Sequence, residues 1–158
     1  MKHLLRLCLF PVIVLSFAAS AITRTAGSNV GQSMPDLKVD YVKAKPETTG
    51  KPLIVEFWAT WCGPCKQSIP HLNEIHKKYK DKGLVVVGLT DEANPVIKTF
   101  TKQTPIEYHA ATDRNGKLKK QFGVSGIPHA LLVDKTGKIV WEGHPSGLND
   151  AEIEKILQ

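Results

Sequence analysis

Apolar positions change their spacing along this chain, and the changes mark out its elements. Leu53-Ile54-Val55-Glu56-Phe57-Trp58-Ala59, bounded by Pro52, is nearly continuous in apolar residues, which predicts a strand buried on both faces. Beyond it Ile69, Leu72, Ile75 and Tyr79 fall three and four apart, the period of a helix face. That helix is expected to begin at Gly63 or Pro64, where proline suits the first turn, and to end at Gly83, with Pro70 kinking it. Residues 84–89 predict a second buried strand. Residues 95–102, with Val96, Ile97 and Phe100, predict a helix, and residues 106–111 a weaker strand. Asp113-Arg114-Asn115-Gly116 predicts a turn, followed by a short helix to Phe122. Residues 130–133 and 139–142 are joined by Asp134-Lys135-Thr136-Gly137, a hairpin signal. Asn149 or Asp150 can cap a last helix with Ile153, Ile156 and Leu157 on one face. Upstream, residues 34–42 alternate loosely as a first strand, and 43–51 form a loop rich in Pro, Gly and Thr. Strands alternating with helices, then a hairpin and a helix, predict an α/β fold: a layered sheet with helices outside.

The first residues do not fit that domain. Lys2 and Arg6 precede seventeen uncharged residues (7–23), which end in the small run Ala18-Ala19-Ser20-Ala21. A basic start, an apolar middle and small residues at the end predict a secretory signal peptide over residues 1–21, cleaved after Ala21. The alternative is an uncleaved membrane anchor, against which the short apolar run, Pro11 and Ser16 count. Residues 22–33 are polar and glycine-containing, which predicts a flexible lead-in, and residues 34–158 are the domain. A chain of 158 residues accommodates one such core.

Composition adds one class and one exclusion. With 42% apolar and 23% charged residues the chain reads as globular and soluble. The net charge of +6, or +4 without Lys2 and Arg6, comes from scattered lysines such as Lys77, Lys78, Lys80, Lys119 and Lys120. They form no basic–aromatic stripe, so no nucleic-acid partner is expected.

The cysteine count points to chemistry. Cys8 leaves with the leader, and the mature chain keeps Cys62 and Cys65. Two cysteines so close cannot staple distant segments, so the pair is there for its reactivity. At a helix N-terminus, unpaired amides and the helix dipole stabilise a thiolate, lowering a thiol pKa of about 8.5 to roughly 3.5–7.5. Cys62, ahead of the helix, is expected to be the exposed nucleophile, and Cys65, one turn in, the buried resolving thiol. The other reading, half of a zinc site, lacks a second cysteine pair. His71, His76, His109, His129 and His144 show no ligand spacing, so no metal and no cofactor are expected.

The segment from Val55 through Trp61-Cys62-Gly63-Pro64-Cys65 to Lys66 resembles the active-site segment of thioredoxin. Pro70 matches the kink proline of the thioredoxin helix, and Gly123-Val124-Ser125-Gly126-Ile127-Pro128 resembles the stretch ending in that family's cis-proline. The distance from motif to Pro128 exceeds that of plain thioredoxin, leaving room for an extra strand–helix unit near residues 91–111. With the export signal and Phe57-Trp58-Ala59-Thr60-Trp61, the chain is similar to the TlpA/ResA-like group of exported thioredoxins over about residues 34–158.

The resemblance implies a thioredoxin fold and a thiol–disulfide oxidoreductase of the cell envelope, located in the periplasm, or anchored facing it. Cys62 and Cys65 would be catalytic, with Pro128 cis and facing them. Ile127 would offer its backbone to substrate, alongside Trp61, Gly63 and Pro64. Glu56 stands where thioredoxin has its buried aspartate; the other reading is an edge-facing glutamate. The implied partners are protein disulfides and a membrane thiol donor of electrons, in apocytochrome c maturation or general disulfide reduction, by a monomer. Three readings of His129 stay open: a solvent-facing strand residue, a contributor to Cys62 acidity, or a metal ligand. Alternatives to the reductant are an oxidase or isomerase, a copper chaperone using Cys62, Cys65 and His129, and, less fittingly, a peroxidase.

Overall fold

The computed structural model describes residues 27–158, so the expected leader, its cleavage site and Cys8 lie outside the described residues. Strand β2 (Leu53–Phe57) is buried along its whole length, as its apolar run predicts. Strand β3 (Val85–Thr90) is equally buried and pairs parallel with β2. Between them runs helix α1 (Gly63–Tyr79), continued by a 3-10 turn to Lys82 and ended by Gly83 at φ 95°, which a side chain would strain. Helix α2 (Asn94–Gln103) leads to strand β4 (His109–Thr112), parallel to β3, and these two are the extra unit the motif spacing anticipates. A short helix α3 (Lys117–Gln121) precedes the hairpin of β5 (His129–Val133) and β6 (Ile139–Gly143). Helix α4 (Asp150–Leu157) closes the chain, capped by the Asn149 side chain on the Glu152 amide. With β1 (Asp40–Tyr41) the sheet order is β1-β4-β3-β2-β5-β6, with β5 antiparallel to β2.

Alternation along the central strands sorts side chains into two cores. Leu53, Val55 and Phe57 join Val85, Val87, Leu131 and Val133 on the face covered by Leu118 and Phe122. Ile54 and Trp58 join Val86, Leu132, Cys62, Cys65, Ile69, Leu72, Ile97 and Ile153 on the face covered by α1, α2 and α4. Glu56 lies between Ile54 and Trp58 in this alternation, so the sheet turns its carboxyl inward beneath α1. Its register partners are Gly88 on β3 and Ala130 on β5, which leave space around it.

Three expectations are corrected. The first strand shrinks from residues 34–42 to Asp40–Tyr41, because only these two reach a ladder partner, Thr112 and Ala111 at the sheet edge. The lead-in is not loose in its described part. The Gly31 amide donates to the Ile139 carbonyl, Ser33 bridges Lys138, and buried Asn29 donates to the Phe122 carbonyl and to Glu142. The strand expected from residue 106 begins at His109, because the Asn73 side chain of α1 takes up the Glu107 amide and the Pro105 carbonyl. On α2, Ile97 is buried and Val96 is 45% exposed.

Asn29 gives a test of the tied-down strap. Asn29→Ala leaves the buried Phe122 carbonyl and one Glu142 oxygen short of a donor, and is expected to cost about 1–3 kcal/mol in denaturant unfolding.

Candidate active site

Cys62 caps α1: its side chain accepts the Cys65 amide at 3.2 Å, and its carbonyl accepts the Lys66 amide. Pro64 occupies the first turn, which holds no acidic residue, so no carboxylate offsets the positive end of the helix. The two cysteines form a disulfide with Cα atoms 5.2 Å apart. Cys65 is fully buried. Cys62 is 5% exposed, which corrects the expectation of an exposed residue while keeping the order of the two. The cause lies across the cleft: the Ile127 carbonyl stands 3.8 Å from Cys62 Sγ. The Ile127–Pro128 peptide is cis. Trp61 next to the pair is 71% exposed, an apolar face open to a partner.

Beside the cysteines runs a groove of about 590 Å³, lined by Pro64, Gly126, Ile127, Pro128, His129 and Glu142 among others. His129 is half-buried, with its side chain 25% exposed and its Nε2 buried 3.6 Å from Glu142 Oε2, and it makes no hydrogen bond to Cys62 Sγ. Against the opposing effect of burial, three hydrogen bonds donated by Ser28 and Asn29 hold the Glu142 carboxylate below the usual Glu range. Among the described residues no group of three or more His, Cys, Asp and Glu is placed to hold a metal ion.

Glu56 is fully buried, and burial pushes its pKa up to about 8, opposed in part by a hydrogen bond from Tyr108. Tyr108 Oη donates to Oε2 at 3.0 Å, whereas Oε1 is buried without a partner among the described residues.

Two contributors escape sequence reasoning. Glu92 accepts the Thr60 amide and the Thr60 hydroxyl, each at 2.6 Å, and so fixes the loop that carries Trp61 into Cys62. Tyr108 lies in the weakly predicted strand. Both act across 32 or more residues of chain, which no local pattern announces.

Comparison with known proteins agrees with this geometry. The Redoxin family model matches residues 29–157. The chain belongs to the Redoxin family. It is 32% identical over 148 residues to the thiol-disulfide oxidoreductase ResA of Bacillus thuringiensis subsp. konkukian, covering 85% of this chain and 86% of that one. It is likewise 32% identical to the protein of the same name in Bacillus anthracis, over 84% of each chain. A solved Chlorobium tepidum structure, assigned as the thiol:disulfide interchange protein DsbE, matches with TM-score 0.66 and 30% identity. That match covers 82% of this chain and 98% of that one. The thioredoxin domain of a thiol-disulfide oxidoreductase from Bacteroides vulgatus matches in fold, with TM-score 0.68 at 23% identity over 82% and 98% of the two chains. This Redoxin member is a thiol–disulfide oxidoreductase of thioredoxin-like fold, and its redox-active pair is Cys62–Cys65.

Proposed function

We propose that this Redoxin member is an exported reductant of protein disulfides, acting as a monomer in the periplasm after cleavage at Ala21. The observation that carries the catalytic part is the placement of Cys62 at the helix cap, under the Ile127 carbonyl, with Cys65 buried one turn inward. The Cys62 thiolate attacks a partner disulfide, so that one partner sulfur leaves as thiolate and Cys62 is joined to the other. Cys65 gives its proton to Glu56, and its thiolate attacks Cys62 Sγ. The Cys62–Cys65 bond forms, the second partner sulfur leaves with the electron pair, and the partner is reduced by two electrons. Glu56 suits that transfer because a pKa of about 8 lies close to that of an ordinary thiol, about 8.5. A partner strand laid along Ile127 and cis Pro128 meets Trp61 and the Gly63-Pro64 turn, which hold it over Cys62.

The direction of electron flow rests on Gly63-Pro64, the thioredoxin dipeptide, where strong oxidants of this fold place a thiolate-stabilising histidine. Lys66 and His129 pull the other way, but neither lies between the cysteines. A membrane thiol protein would return the pair to the dithiol, and the resemblance to the TlpA/ResA-like group points to apocytochrome c as a substrate. No helix among the described residues is long and apolar enough to cross a membrane.

Equilibration with glutathione at pH 7 tests the direction. A Cys62/Cys65 potential below roughly −220 mV, toward the thioredoxin value of about −270 mV, is expected. A potential near about −120 mV would make the protein a disulfide donor instead.

A further inference from the structure

Tyr108 belongs to the segment between α2 and β4, the unit added between motif and cis-proline. It is 3% exposed, and its hydroxyl reaches Glu56 Oε2 at 3.0 Å. Gly88 makes the approach feasible. A Cβ there would stand 2.9 Å from Trp58 Nε1 and 3.0 Å from Tyr108 Cε2, closer than side-chain carbons pack. Gly88 is the register partner of Glu56, so the two rings close over the gap the glycine leaves beside the carboxyl. Phe100 of α2 backs the Trp58 ring, with centroids 5.4 Å apart. The added unit thus supplies both the tyrosine and the backing of the tryptophan. The result is an asymmetric carboxyl: Oε2 is held, and Oε1 is buried with no partner among the described residues. Trp58, Tyr108, Cys62 and Cys65 belong to one buried cluster, on the face toward which Glu56 points.

We propose that Tyr108 is a positioning residue for thiol–disulfide exchange: its hydroxyl, delivered over Gly88 by the added helix–strand unit, pins Oε2 of Glu56 and reserves Oε1 for the proton of Cys65. This rests on the role proposed above for Glu56. A phenol donates more strongly to a carboxylate than to a carboxylic acid, so the bond favours the ionised acceptor that must take the proton. Burial and the neighbouring carboxyl keep Tyr108 itself protonated. The other titratable groups in the buried cluster on this face all lie on α1: Cys62 and Cys65, once their disulfide is reduced, and Tyr79 at the opposite end of the helix, whose hydroxyl donates to Asp150 and Glu154. Strands β3 and β5 present Gly88 and Ala130, which carry no charge.

Tyr108→Phe removes one oxygen and keeps the ring. Two readouts are needed: the carboxyl titration of Glu56 by carbon NMR, and the pH profile of single-turnover resolution of a mixed disulfide with a small aromatic thiol. Both midpoints are expected to move up by about one pH unit, the scale of one charge-assisted hydrogen bond. Gly88→Ala, which displaces the same rings, should move them in the same direction, so the test survives poor folding of either variant. A carboxyl titration unmoved in Tyr108→Phe overturns the positioning role, whatever Glu56 does. Glu56→Gln is the control for the underlying reading. If it resolves mixed disulfides at the wild-type rate and with the wild-type profile, proton transfer by Glu56 fails even where Tyr108→Phe has shifted the carboxyl.

Discussion

Cys62→Ser abolishes disulfide exchange, with a loss of at least about a thousandfold, while Cys65→Ser still attacks and accumulates mixed disulfides that a non-reducing gel resolves. The two outcomes differ because the cysteines stand at different depths. Cys62 sits at the cap of α1, where its sulfur accepts the Cys65 amide and no acidic residue in the first turn opposes the dipole. Those contacts favour its thiolate. Cys65 has no exposed surface, so a partner sulfur cannot approach it until Cys62 has brought the partner in. In the reduced protein, pulse alkylation therefore marks Cys62 before Cys65. Labelling of Cys65 first, or trapping by the Cys62→Ser variant, would exchange the two roles.

Glu56→Gln makes the protein more stable at neutral pH, on the order of 3 kcal/mol, while slowing resolution of mixed disulfides. The folded carboxyl titrates near 8, raised by burial from an ordinary value of 4.5. Between those two values the unfolded chain has released the proton and the folded chain keeps it, so stability falls as pH rises. The contribution is complete below about pH 4.5 and lost by about pH 8, at about 1.36 kcal/mol per unit. Glutamine does not titrate, so the gap between variant and wild type should widen from pH 5 to pH 8 in urea unfolding. Taking the difference removes the carboxylates Glu142, Asp134 and Asp150, whose pKa values lie below their ordinary range and whose stabilisation is lost toward acid instead. A gap constant across that range would mean that Glu56 titrates normally and has no raised affinity for a proton to exchange with Cys65.

Much of this site is legible in local pattern because its parts lie close in the chain. The run from Leu53 to Ala59, then Cys62, Pro64 and the spacing of Ile69, Leu72, Ile75 and Tyr79, states a buried strand, a turn and a helix with a cysteine at its cap. Each step depends on neighbours within one helical turn or one strand. The length between Cys65 and Pro128, greater than in plain thioredoxin, left room for the added unit. The inward turn of Glu56 follows from period two within an apolar strand.

What local pattern could not supply are the contacts made across the sheet. The strap at Asn29 looks like any polar, glycine-containing lead-in, because its order comes from Glu142 and Phe122, some ninety residues or more away. The short edge strand β1 depends on what β4 offers it, and β4 starts late because Asn73 competes for the backbone before it. By itself the sequence determined the buried strand, the capped helix and the identity of its reactive pair. The accessibility of Cys62 under Ile127, the clamp of Glu92 on Thr60, and the hydroxyl of Tyr108 over Gly88 were decided by the tertiary structure. A hydrogen bond or a close approach between distant residues depends on register and ring packing, which no window of local sequence contains.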